Sequence, residues 1–123
     1  MIVRSETVFT LHTAHTSYQL AVGPEGVLLH TYYGPRLPDN APALADGRVP
    51  HSDPGCWPDL LPQELSGSGT ADNRTPAVVP EYADGTEAAA FVFDRAEAHV
   101  GKPQLHGLPM FRDGNGVETL SVF

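Results

Sequence analysis

Residues 7–33 read TVFTLHTAHTSYQLAVGPEGVLLHTYY, and their pattern decides the fold. From Thr7 to His12, apolar Val8, Phe9 and Leu11 are interleaved with polar neighbours. From Ser17 to Val22, Tyr18, Leu20 and Val22 recur at every second position, the period of a strand with one face turned inward. Gly23-Pro24-Glu25-Gly26 combines residues that favour tight turns, and Val27 to Tyr33 is again β-rich. The three segments predict an antiparallel meander.

The wider chain agrees with an all-β reading. It has 123 residues, enough for one domain, with 41% hydrophobic and 18% charged residues, a globular balance. Its 12 glycines and 12 prolines cut it into pieces too short for long helices. Residues 34–75 form a Pro-rich loop, in which Pro35, Pro38, Pro42, Pro50, Pro54, Pro58 and Pro62 interrupt regular structure. A loop of that length inside a compact domain is usually functional when ordered. Strand signals return over Pro76–Glu81, over Ala88–Asp94 through Phe91-Val92-Phe93, over Gly101–Leu108 as an extended piece, and over Val117–Phe123. A helix within Ala83–His99 is the alternative to the middle strand, because Glu87–Ala98 is rich in alanine. The last strand reaches Phe123 with an apolar face and an open edge, which leads to the expectation of the front part of a larger domain.

Charge and cysteine content narrow the function classes. Fifteen acidic residues against seven basic ones give a formal charge of -8, which argues against nucleic-acid and anionic-membrane partners. No apolar run approaches the length of a membrane helix, and Met1–Glu6 lacks the basic stretch and apolar core of a leader. The expectation is a cytoplasmic chain, or one that has lost its signal. Cys56 is the single cysteine, so no internal disulfide and no sulfur-rich zinc site is available. His12 and His15 are offset so that a strand points them to opposite faces, and no metal or organic cofactor is expected.

Candidate chemistry concentrates in residues 56–76. Asp59 and Glu64 are the best candidates for paired carboxylates, since a retaining glycosidase needs two of them about 5–5.5 Å apart. Arg74 carries a planar fork that holds a carboxylate or two sugar hydroxyls at fixed geometry, and Asp72 lies beside it in sequence. Trp57 either stacks on the apolar face of a sugar ring or fills core. Ser66-Gly67-Ser68-Gly69-Thr70 is glycine-rich but lacks the lysine and helix of a phosphate loop.

The order of five segments resembles a known family. Leu11–Leu20 (LHTAHTSYQL) is followed by VLLHTYYGPRL, then by DLLPQELSGSGTADNRTPAV from Asp59, then by GKPQLHGLP from Gly101 and VETLSVF from Val117. Together they resemble the N-terminal domain of glycoside hydrolase family 36, the α-galactosidases. The resemblance implies an antiparallel β-sandwich, here an incomplete part of a larger supersandwich that precedes a (β/α)8 barrel carrying both catalytic aspartates. The barrel is absent, so the chain is expected to be inactive alone and to have α-galactoside sugars, the barrel and a homo-oligomer as partners. The resemblance also implies that Asp59 and Arg74 contact galactoside in a neighbouring subunit's pocket, Asp59 accepting hydrogen bonds and Arg74 donating them. Leu65 and Asn73 stand where the family often has aromatics. The alternative is an independent carbohydrate-binding β-sandwich module acting through Trp57 and Arg74.

Overall fold

The computed structural model describes residues 1–46, 61–69, 72–103, 106–107, 109 and 116–123. Four strands, β1 (Ile2–Arg4), β2 (Val8–His12), β3 (Thr16–Val22) and β4 (Leu28–Pro35), form an antiparallel sheet in chain order. A short helix α1 (Pro42–Asp46) follows, and β5 (Ala96–Val100) pairs with β6 (Glu118–Val122) in a second antiparallel sheet. The expected all-β antiparallel architecture and its meander are therefore present. β1 extends the meander at its start, where no strand is expected from the sequence; the β-branched pair Ile2-Val3 supplies it by aligning with Leu11 and Thr10.

Turn chemistry sets the register. Between β2 and β3, Thr13 Oγ1 accepts the amide hydrogens of His15 and Thr16 at 3.2 and 2.9 Å. Between β3 and β4, Glu25 and Gly26 both take left-handed backbone angles, with φ of 57° and 78°. Gly26 does this without a side-chain penalty, whereas Glu25 carries a cost. The pairing of β3 with β4 shifts at Gln19/Leu20, leaving Thr31 as an extra residue on β4.

Both faces of β3 are covered. On one face Phe9 lies opposite Leu20, and its ring meets Phe93 at 5.6 Å between centroids. On the other, Thr10, Ser17 and Gln19 are fully buried beneath residues 37–41. Gln19 Nε2 donates to the Asn40 carbonyl at 2.5 Å, and Thr10 Oγ1 donates to Asn40 Oδ1 at 2.6 Å. Thr31 Oγ1 donates to Gln19 Oε1 at 2.7 Å, and the Leu37 amide donates to Ser17 Oγ at 2.8 Å. Alternation in β3 thus separates an apolar face from a buried polar one.

Three sequence expectations are corrected. Phe91-Val92-Phe93 is neither strand nor helix: the Phe93 amide donates to the Gly26 carbonyl at 2.7 Å, and regular pairing begins only at Ala96. Pro76–Glu81 makes one parallel bridge, Gly67 to Val78, because Pro76 and Pro80 have no amide hydrogen to give a ladder. The Pro-rich stretch holds α1, which opens on Pro42 at a position where a missing N–H costs nothing. The remainder of the expected extended piece, Gly101–Leu108, falls partly outside the described residues.

Candidate functional site

The site grows from the open edge of β4. Residues 62–64 lie against it: the His30 amide donates to the Pro62 carbonyl at 2.7 Å and the Glu64 amide to the Leu28 carbonyl at 2.9 Å. The edge is thereby paired, and Leu61 is buried beside it. On the face of the sheet the Tyr18 hydroxyl donates to Glu64 Oε2 at 2.5 Å, with His30 Nδ1 3.8 Å from the same oxygen. Partial burial first, and then the Glu64 carboxylate, push the Tyr18 phenol well above its usual range, so it remains a donor.

Below this edge Arg74 is held by a carboxylate. Its Nε donates to Asp72 Oδ1 at 3.0 Å and its Nη2 to Asp72 Oδ2 at 2.6 Å, a two-pronged contact that only a guanidinium makes. The Arg74 amide donates to Asp72 Oδ1 at 3.0 Å, and Gln63 Nε2 to Oδ2 at 3.1 Å. The third arm of the fork, Nη1, donates to the Leu61 carbonyl at 2.8 Å. The Asp72 side chain is 1% exposed and that of Arg74 43%. Hydrogen bonds from the Arg74 side chain first, and then from its backbone, hold the Asp72 carboxyl below the usual carboxylate range.

Glycines bring the following segment close. A side chain on Gly67 would place its Cβ 1.9 Å from the Ala89 carbonyl oxygen, so this position needs bare backbone. The glycine-rich run therefore serves chain packing, with the Ala89 amide donating to the Ser68 carbonyl at 2.9 Å. Above it opens an apolar groove of about 520 Å³, lined by Leu20, Leu28, Phe93, Leu120 and Val122, with Glu64 at its rim.

Of the residues expected to contact sugar, the described structure contains Arg74; Trp57 and Asp59 lie outside the described residues. The proposed partner of Asp59, Glu64, is engaged by Tyr18. The link from Arg74 to Leu61 and the Tyr18–Glu64 contact carry no signal in the sequence, since the latter joins residues 46 apart. Among the described residues, no three of His, Cys, Asp or Glu converge as a metal site, and no helix is long and apolar enough to cross a membrane.

Comparison with solved proteins places this architecture in a class. The fold matches an α-galactosidase AgaA of Geobacillus stearothermophilus in complex with 1-deoxygalactonojirimycin, with a TM-score of 0.76 at 29% identity over 94% of this chain and 17% of that one. It also matches the galactosidase domain of the α-galactosidase–sucrose kinase AgaSK, with a TM-score of 0.74 at 35% identity over 89% of this chain and 17% of that one. The class is thus the β-rich domain of α-galactosidases. The sequence model of the glycosyl hydrolase family 36 N-terminal domain matches residues 26–123, and the chain belongs to that family. Among curated relatives, the bifunctional α-galactosidase/sucrose kinase AgaSK of Mediterraneibacter gnavus is 35% identical over 96% of this chain and 14% of its own. α-Galactosidase 1 of Pediococcus pentosaceus is 32% identical over 97% of this chain and 18% of its own. The chain spans less than a fifth of the length of these relatives.

Proposed function

We propose that the chain serves as the noncatalytic N-terminal part of an α-galactosidase-like retaining glycosidase. It packs on a catalytic barrel, supports a homo-oligomer and shapes the galactoside pocket. The observation that carries this reading is the family match across residues 26–123, in relatives whose remaining length is more than four-fifths of the enzyme. Within the pocket Asp59 accepts hydrogen bonds from sugar hydroxyls, Arg74 donates to them, and Trp57 offers a ring for stacking. The parent reaction runs through a covalent glycosyl-enzyme formed by one carboxylate while another donates and then removes a proton.

The test is hydrolysis of a chromogenic α-galactoside by the purified 123-residue chain, beside an Asp59→Asn variant. A folded sample that gives no turnover supports the scaffold role. Turnover that vanishes with Asp59→Asn overturns it and makes Asp59 part of a self-contained active site. A saturable change of Trp57 fluorescence on titration with galactose would favour the independent sugar-binding module instead.

A further inference from the structure

The registers of the four-stranded sheet set one row of side chains across it: Ile2 opposite Leu11, Leu11 opposite Tyr18, and Tyr18 opposite Tyr33. Directly opposed residues share a face, so the row stands on the same face as the Phe9–Leu20 pair. The Phe93 ring packs on that pair through Phe9, whereas the row ends in Tyr33, which is 69% exposed. Over the row opens a pocket of about 360 Å³, lined by Ile2, Leu11, Thr16, Tyr18, Tyr33 and Glu118. That volume falls within the range of small-ligand sites, roughly 300–1,000 Å³. The Tyr18 ring is fixed in advance, since its hydroxyl donates to Glu64 and the His30 ring lies 4.9 Å away between centroids.

The two charges at the rim cancel. The Met1 ammonium lies 3.1 Å from Glu118 Oε2, which also accepts the Ile2 amide at 2.8 Å. The ammonium donates to the His12 carbonyl as well, at 3.1 Å, and keeps one hydrogen to give. Glu118 Oε1 has no hydrogen bond among the described residues. Thr13 Oγ1 accepts the amides of His15 and Thr16, which fills its lone pairs, so it donates to Thr16 Oγ1 at 2.8 Å. The Thr16 hydroxyl hydrogen is left over.

We propose that this pocket binds a neutral sugar ring, its apolar face against Tyr33 and its hydroxyls shared among Glu118 Oε1, the Thr16 hydroxyl and the Met1 ammonium. A sugar ring carries C–H groups on one face and hydroxyls along its edge. The pocket mirrors that division, with a floor of Ile2 and Leu11, two tyrosine rings, and a rim that offers both donors and an acceptor. A cation gains little, because the Met1 ammonium already matches the carboxylate. A purely apolar ligand would strand the hydrogen-bonding groups of the rim. Binding of a sugar ring rests on this geometry, and only the choice of a galactoside rests on the function proposed above.

The test follows the backbone amide signals of Thr13–Thr16 and Glu118 by NMR while the 123-residue chain is titrated with methyl α-galactopyranoside. The expected result is saturable movement of these signals with a Kd on the order of 1–10 mM, as suits a shallow site. Tyr33→Ala weakens binding at least about five-fold, and Tyr33→Phe stays within about two-fold because the ring remains. Glu118→Gln weakens it about three-fold or more, since the Met1 ammonium then faces an uncharged amide. Tetramethylammonium chloride, a cation that rings of this kind can hold, gives no saturable movement. The inference is overturned by signals that stay still up to about 100 mM sugar. Wild-type affinity in Tyr33→Ala, or saturation by tetramethylammonium in place of sugar, overturns it as well. If Tyr33→Ala fails to fold, Glu118→Gln carries the test, and wild-type affinity in it counts equally against the site. This site thus fails by amide shifts at its own residues, whereas the scaffold reading fails by turnover.

Discussion

His12 shows how one buried group links this fold to pH. Its Nδ1 lies 2.7 Å from Ser17 Oγ, which also accepts the Leu37 amide, and its Nε2 has no partner among the described residues. In the neutral ring one of the two, Nδ1 or the Ser17 hydroxyl, donates to the other according to the tautomer. A protonated ring would turn both nitrogens into donors, leaving Nε2 without an acceptor among the described residues and a charge on a buried side chain. Burial chiefly, then the Arg36 and N-terminal charges against a smaller pull from Asp39, lower the His12 pKa from 6.5. The folded state therefore binds fewer protons than the unfolded one once pH falls below 6.5, and stability drops from there toward the lowered folded value. Unfolding free energies from urea titrations between pH 7.5 and 5.5 should fall in the wild type by up to about 1.4 kcal/mol per pH unit from this group, and by less in His12→Gln. Equal slopes in the two proteins would show that another group titrates.

At the scale of elements, the polar layer between β3 and residues 37–41 determines whether that stretch is part of the domain. Gln19 sits at its centre, donating to the carbonyl of Asn40 and to Thr10 while accepting from Thr31. Replacing it by leucine leaves carbonyls buried without donors, which costs about 2–3 kcal/mol in all. Gln19→Leu should lower the urea midpoint accordingly and expose the amides of 37–41 to exchange while β2 and β3 stay protected. An unchanged midpoint would mean that the stretch is held by other contacts. The sequence made the meander legible because alternation and turn residues act over a few positions. It also placed Arg74 beside Asp72, since adjacent opposite charges on a glycine-rich loop meet readily. What it could not reveal depends on distant pairing. Phe91-Val92-Phe93 has the composition of a strand, yet its backbone hydrogen bonds go to Gly26 and its ring to Phe9. Gln19 looks like an exposed strand residue until Asn40, from a loop, arrives above it. Leu61 is tied to Arg74 by a carbonyl, an atom every residue has, so no residue type could announce that bond.

For the whole molecule the decisive feature is an apolar groove that remains open between the two sheets. Leu65, Val92 and Phe123 at its border are 41%, 60% and 50% exposed, and Leu20, Leu28 and Leu120 form its floor. Contiguous apolar surface of this kind drives association unless something covers it. Against it stands a net charge of -8, which repels a second copy at low ionic strength. The Debye length shrinks from about 10 Å at 0.1 M salt to about 3 Å at 1 M, so salt removes the repulsion while leaving the apolar attraction intact. The isolated chain should therefore elute as a monomer at low salt and low concentration, and move to larger species as either rises. Val92→Asp places a charge at the groove border and should keep the chain monomeric at salt concentrations where the wild type associates. If association weakens with salt instead, charged edges such as Asp94, Arg95 and Glu97 on and before β5 hold the copies together, and the groove plays no part. If the wild type stays monomeric under all conditions, the groove is too shallow to drive pairing.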